Sequence, residues 1–139
     1  RELGYFSNRA TEHADAHQRI GAGVHGLSNH LLNTDWPKVR AGKAKLQSLL
    51  QHDDVAPSAI FDLLADRRPA EEAHLPQTGV TLDRELGLSA AHVLLGEYGT
   101  RSATVLLVDR DGWVQFSERS FDQTGNLVGG ATEVFRLSA

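Results

Sequence analysis

The pattern of hydrophobic and polar positions changes its period twice along the chain. Leu3–Ser7 and Arg19–Leu27 hold apolar and small residues in short runs, which predict two strands near the start. From Trp36 to Gln51 the apolar residues recur with helical spacing, and Ala59–Ala65 predicts a second helix. Strand-like patterns then return in Thr100–Asp109, Trp113–Phe121 and Ala131–Leu137.

The order strands, helices, strands predicts an α+β fold with an antiparallel sheet, built as one domain from 139 residues. The apolar face of the first helix is expected to pack against that sheet. This face holds Val39, Leu46, Leu49 and Leu50. The segment "DRDG" predicts a hairpin turn, since Gly112 is free to adopt positive φ.

Composition narrows the class of protein. The net charge is -4 with acids and bases intermixed, which argues against nucleic acid as the main partner. Without cysteine the chain has neither disulfides nor thiolate metal sites. Its apolar runs are too short to span a membrane, so we expect a soluble, cytoplasmic protein. The chain also lacks methionine and begins at Arg1, from which we expect a fragment or a processed product.

Arg101 is the first candidate for chemistry, because it opens a predicted strand between the small residues Thr100 and Ser102. A guanidinium offers five donors and suits a carboxylate or a developing oxyanion. The alternative is a structural ion pair with Glu97 or Glu118.

Asn29 is the second candidate, since a carboxamide after a strand can donate to an oxyanion or can simply close a turn. The histidines are the third. His13 and His17 have the i, i+4 spacing of some zinc sites, and His25 and His30 flank "GLSN". Solvated side chains are the alternative for all four.

Several stretches resemble the NRDE family, also called the transport-and-Golgi-organisation family. In chain order they are "YFSNRA", "GVHGLSNHLLNTDWPKVRAGK", "LPQTGV", "EYGTRSATVLLVDRDG" and "FSERSFD". The resemblance covers nearly the whole chain but only the C-terminal half of the family's length. The Asn-Arg-Asp-Glu tetrapeptide near the family's start has no counterpart here, and Ala103 stands where members often carry serine or asparagine.

The resemblance implies part of an αββα sandwich like that of N-terminal-nucleophile hydrolases, distantly of the choloylglycine hydrolase type. In those enzymes the first residue of the mature chain attacks an amide. By motif position Asn29 and Arg101 would be the catalytic residues, meeting across one concavity. Their neighbours Ser28, Tyr98 and Thr100 would contact a ligand, and no metal is expected.

Three functions remain open from the resemblance. One is hydrolysis of a carbon–nitrogen amide bond, with the nucleophile absent from this chain. Another is non-enzymatic haem or lipid trafficking in Golgi or membrane homeostasis, with haem as a transported ligand rather than a resident cofactor. The third is an interaction role with a vestigial pocket. The expected partners are the N-terminal half of the same protein, a small-molecule ligand or substrate, and a second copy of the chain.

Overall fold

The computed structural model describes residues 2–9, 17–52 and 55–137. The helices are α1 (Pro37–Leu49), α2 (Pro57–Leu64) and α3 (Leu82–Leu88), with a 3-10 turn at Glu72–His74. The first strands are β1 (Leu3–Phe6), β2 (His17–Ile20), β3 (Leu94–Leu95) and β4 (Tyr98–Gly99). The last strands are β5 (Ser102–Val108), β6 (Trp113–Phe121) and β7 (Leu127–Arg136).

Every strand pairing in the described residues is antiparallel. β1 pairs with β2, β3 pairs with β4, and β5, β6 and β7 form a three-stranded sheet in that order. The predicted α+β class with antiparallel sheets is therefore confirmed. No helix in the described ranges has the length and apolar character needed to cross a membrane.

The predicted hairpin is confirmed as β5 and β6. Its turn is fixed by two features of "DRDG": Asp109 Oδ1 accepts a hydrogen bond from Trp113 N at 2.8 Å, and Gly112 has φ 85°. A side chain is disfavoured at that φ, so glycine is the residue that closes the turn without strain.

One expectation about regular structure was wrong, and one helix was missed. The strand predicted over Arg19–Leu27 ends at Ile20, because the glycines that follow offer no side chains for a strand to pack. The helix α3 was missed, since its apolar period is short. Of the histidine pair, His17 lies in the strand β2 rather than on a helix, and His13 lies outside the described residues.

The helices and the main sheet are layered through α2. α1 packs chiefly on α2, and α2 packs on β5, so the expected packing of α1 directly on a sheet was wrong. Val39 is buried in this arrangement, whereas Leu50 follows the last residue of α1 and is 55% exposed. Leu50 therefore does not belong to the packed face.

Phe61 occupies the middle of that layering. It is 6% exposed on α2, and the guanidinium carbon of Arg119 on β6 lies 4.2 Å from its ring centroid. The ring thus contributes both apolar burial and a cation–π contact to the join between helix and sheet.

We predict that Phe61→Ala lowers the free energy of unfolding by about 3 kcal/mol, because it removes a buried ring and leaves a cavity. Leu50→Ala is the matched control and is expected to change it by less than about 0.5 kcal/mol. Chemical denaturation measures both. Equal effects for the two variants would contradict the assignment of the core.

His92 is an unusual member of the core. It is 2% exposed, packs edge-on against Phe121 with ring centroids 4.8 Å apart, and finds no hydrogen-bond partner for either ring nitrogen within the described chain. Burial, together with the positive charge of Arg67, lowers the pKa of His92 below its ordinary value. Protonation of this ring is therefore less favourable in the folded state than in the unfolded chain.

We predict that His92 makes the protein less stable in mild acid. Below about pH 6.5 the histidine of the unfolded chain takes up a proton more readily than that of the folded chain. The free energy of unfolding is therefore at its full value above that pH and decreases below it. The slope contributed by this one group is up to about 1.4 kcal/mol per pH unit. In the His92→Leu variant, the temperature of thermal denaturation should decrease less between pH 7 and pH 5 than in the unmodified chain. The exposed-site control His74→Ala should retain the full decrease.

Candidate functional site

The loop of residues 26–33 forms one wall of a concavity with mixed polar and apolar walls. Two hydrogen bonds join the ends of this loop: Asn33 N donates to Gly26 O at 2.7 Å, and Gly26 N donates to Asn33 Oδ1 at 3.0 Å. A side chain at position 26 would meet Val39 Cγ1 at 2.7 Å, so only glycine permits this approach to α1. The closed loop carries Asn29 and His30 on its outer part.

The beginning of α1 forms the second wall. Trp36 precedes the helix, Pro37 occupies its first turn where a missing N–H is tolerated, and Lys38 follows. Lys38 Nζ donates to the carbonyl oxygen of Leu88, the last residue of α3, at 2.9 Å. Desolvation by burial lowers the pKa of Lys38 from its ordinary value.

The third wall is the loop of residues 75–80, which a buried carboxylate holds in place. Glu85 on α3 is only 6% exposed, and its Oε1 accepts hydrogen bonds from both the backbone N and the hydroxyl of Thr78, the latter at 2.6 Å. Gln77 beside it has φ 49°, a conformation that non-glycine residues seldom adopt and that the surrounding contacts must hold.

These walls enclose a cavity of about 460 Å³. Arg9 also reaches it, and its Nη1 donates to the backbone oxygen of Asn29 at 2.9 Å. The lining therefore combines cations, one buried carboxylate and apolar walls. It consists of Arg9, Asn29, His30, Trp36, Pro37, Lys38, Pro76, Gln77, Thr78, Glu85, Leu88 and Ser89.

Comparison with known proteins identifies the family. The family model described as Transport and Golgi organisation 2 matches residues 1–123. The mouse protein named Transport and Golgi organization 2 homolog is 34% identical over 124 residues, which cover 84% of this chain and 44% of that protein. A human protein named Transport and Golgi organization protein 2 homolog is 39% identical over 106 residues, 70% of this chain and 38% of that protein.

The chain belongs to the Transport and Golgi organisation 2 family. The resemblance expected from the motifs is thereby confirmed. The chain spans less than half the length of the curated relatives that it matches.

The motifs that link this chain to the Transport and Golgi organisation 2 family supply most of the cavity. "YFSNRA", "GLSNH", "DWPK" and "LPQT" provide every lining residue except Glu85, Leu88 and Ser89, which belong to α3 and the residue after it. The remaining motifs, "EYGTRSATVLLVDRDG" and "FSERSFD", build β4, β5, the hairpin turn and the second half of β6 instead.

Of the residues predicted from sequence, Asn29 lines the cavity. Its side chain is exposed and makes no hydrogen bond with the described part of the chain, so the carboxamide is available to a ligand. Ser28 lies half-buried in the same loop but does not line the cavity. The catalytic role assigned to Asn29 stays a prediction.

Arg101 occupies a different place. Its two terminal nitrogens donate to backbone oxygens, of Asp122 at 3.0 Å and of Glu97 at 2.8 Å, so it ties the turn before β4 to the end of β6. These partners are carbonyls, not the carboxylates that an ion pair would use. Arg101 is not among the residues that line the cavity, and its catalytic role also stays a prediction.

Tyr98 and Thr100 lie near Arg101 rather than near Asn29. Tyr98 is 56% exposed on β4, beside a separate shallow concavity that Arg84 and Leu95 also line. Thr100 exchanges hydrogen bonds with Val93: its N donates to Val93 O at 2.9 Å, and its Oγ1 accepts from Val93 N at 3.0 Å. Thr100 thus holds β3 against β4.

The described histidines do not gather into a metal site. Within residues 2–9, 17–52 and 55–137 no group of three or more metal-ligating side chains is close enough to hold an ion. His25 contacts Gly21 O and Asn33 Nδ2, whereas His30 lines the cavity with its Nδ1 2.9 Å from Thr34 Oγ1.

Sequence reasoning missed Arg9, Lys38 and Glu85. The ammonium of Lys38 turns toward α3, which the spacing of apolar residues in α1 does not reveal. A usable signal for Glu85 existed: Thr81 followed by acids in the first turn is a typical helix start. No sequence signal indicated that the carboxylate would be buried.

Proposed function

We propose that this chain forms the ligand-binding part of a Transport and Golgi organisation protein, and that its cavity binds an amphipathic small molecule by an anionic group. The observation that carries this proposal is Lys38, whose partly buried ammonium lines a cavity with both polar and apolar walls. A volume of about 460 Å³ suits a small-molecule ligand.

The chemistry of Lys38 favours an anion. An ammonium has three donors, and the hydrogen bond to Leu88 O uses one of them. The charge has also lost part of its hydration, which is why its pKa is lowered. A ligand carboxylate or phosphate would restore both hydrogen bonds and a counter-charge. Arg9 lies at the same cavity with further donors.

The apolar walls of the cavity would contact the apolar part of the ligand. Trp36, Pro37, Pro76 and Leu88 surround the polar groups. An alkyl or aromatic tail would be removed from water there, at about 25 cal/mol per Å² of apolar surface. This combination supports lipid-like ligands, in keeping with a role in membrane or Golgi homeostasis for the family.

The finer hypothesis of amide hydrolysis is supported by Asn29 alone. On an αββα N-terminal-nucleophile fold, its free carboxamide would donate to the oxyanion of a bound amide. The nucleophile would come from outside these 139 residues. Arg101 supports this hypothesis less, because both of its terminal nitrogens are already engaged by backbone oxygens.

We predict that decanoate binds in the cavity and changes the fluorescence of Trp36. The chain has two tryptophans, so Trp113→Phe leaves Trp36 as the single reporter. In that background Lys38→Gln should weaken decanoate binding about tenfold, the loss of roughly one charged hydrogen bond. Arg40→Gln, which removes an exposed charge from the same helix, is the control and should not weaken it.

The pH dependence follows from the lowered pKa of Lys38. Decanoate affinity should decline as the pH rises, and should do so at a lower pH than an exposed lysine would produce. If decanoate leaves Trp36 emission unchanged at every concentration below its micelle threshold, the proposed function is wrong.

Haem binding is a second candidate, favoured by His30. Its Nδ1 is engaged by Thr34 Oγ1, which leaves Nε2 as the ring nitrogen for an axial bond, an arrangement typical of metal-binding histidines. The haem propionates are anions that Arg9 and Lys38 would accept.

We predict that haemin binds the chain with a shifted Soret band, and that His30→Ala weakens this binding about tenfold. His74→Ala, at an exposed histidine of the 3-10 turn, is the control. Identical Soret titrations of the two variants would exclude His30 as the axial ligand.

A further inference from the structure

The cavity contains two opposite charges that do not neutralise each other. The carboxylate of Glu85 is almost fully buried, and Thr78 supplies both hydrogen bonds to its Oε1. The ammonium of Lys38 is bound to a carbonyl, that of Leu88. No cation of the described residues forms an ion pair with Glu85.

The position of the charges is set by α3. Leu88, which anchors the ammonium, follows Glu85 by three residues on the same helix. Three residues advance a helix by about 4.5 Å and return nearly to the same face. The ammonium and the carboxylate therefore approach the cavity about one helical turn apart, close enough for one small molecule to contact both.

A buried carboxylate with only neutral donors is left short of a counter-charge. Transferring a carboxylate from water is costly, and proteins normally compensate it with a cation. Here Oε1 takes both hydrogen bonds from Thr78, so Oε2 keeps its capacity to accept. A ligand cation at the cavity would supply the missing counter-charge.

We propose that the cavity selects a zwitterion: a small molecule with an ammonium group that meets Glu85, a neighbouring carboxylate that meets Lys38, and an apolar tail. An amphipathic amino acid is the simplest such molecule. This inference rests on the proposed function, because it deepens the chemistry of the same cavity.

Structural roles alone would not produce that preference. Glu85 holds the loop of residues 75–80 and Lys38 satisfies the last carbonyl of α3, but neither role discriminates between ligands. Selection of ammonium is thus the property that separates a recognition role from a purely structural one.

The experiment compares three ten-carbon compounds, namely decanoate, 1-aminodecane and 2-aminodecanoate. The full 139-residue chain carrying Trp113→Phe reports binding through Trp36. We expect 2-aminodecanoate to bind about tenfold tighter than decanoate, corresponding to one added charge-assisted hydrogen bond. We expect 1-aminodecane to bind more weakly than either, because Lys38 and Arg9 repel a lone cation.

A substitution then assigns the preference to Glu85. Glu85→Gln keeps an oxygen that can accept from Thr78 but removes the charge, so the advantage of 2-aminodecanoate over decanoate should disappear while decanoate still binds. Glu71→Gln is the matched control, since Glu71 is exposed and lies outside the cavity; it should retain the full advantage.

A second comparison needs no variant of Glu85. N-acetyl-2-aminodecanoate keeps the tail and the carboxylate but has no ammonium, so its affinity should fall to that of decanoate. If 2-aminodecanoate and decanoate bind equally, or the acetylated compound binds as tightly as the free amino acid, the zwitterion inference is overturned and the proposed function stands. If none of the anionic compounds binds, the proposed function itself fails.

Discussion

The hydrogen bond from Lys38 Nζ to Leu88 O is the contact on which the candidate site depends. It joins the first turn of α1 to the last residue of α3, 50 positions apart in the chain, at 2.9 Å. The last carbonyls of a helix have no partner inside the helix, and a cation at that end also complements the helix dipole. The bond thus satisfies α3 while fixing the distance between two walls of the cavity.

A comparison of the partners of Asp66 and Glu85 shows how Glu85 differs from a structural carboxylate. Asp66 accepts from Lys45 at 2.5 Å and from Arg68 at 2.6 Å, and these two cations hold its pKa well below the usual range. The negative charge of Asp66 is therefore compensated by cations within the protein. Glu85 is more deeply buried than Asp66 and has only the neutral donors of Thr78. Burial of a carboxylate without a cation is costly, so a cation that entered the cavity would stabilise Glu85.

Local patterns predicted those parts of the fold in which each residue's environment follows from its neighbours in sequence. The β5–β6 hairpin could be predicted because alternation and the Asp-Gly turn specify both its strands and its register. The helix α2 could be predicted from its apolar face and Pro57. Long-range contacts could not be predicted: whether Lys38 points to solvent or to Leu88 depends on where α3 lies, and α3 itself was missed.

The same reasoning explains why only one of the two predicted catalytic residues reached the cavity. Asn29 lies on a loop that is closed by hydrogen bonds between Gly26 and Asn33, which are near in sequence. The exposure of Asn29 on that loop could therefore be predicted from the sequence. Arg101 looked exceptional because a charge opened an apolar strand. The structure accounts for that charge through hydrogen bonds to Glu97 O and Asp122 O, which an arginine fork can make simultaneously and an apolar residue cannot.

The family motifs accordingly divide between two physical tasks. Those carrying Arg9, Asn29, Lys38 and Thr78 bring polar groups to one concavity, whereas the motif around Arg101 builds a strand pair and its anchor. The two sets are linked through the layered helices, since α1 packs on α2 and α2 on β5, and also through α3, which packs on β3. A change at Phe61 would therefore alter the cavity through the position of α1, whereas a change at Glu85 would alter its charge and leave the sheet intact. The charge of the cavity can therefore be changed separately from the stability of the sheet, whereas the join between helix and sheet affects both.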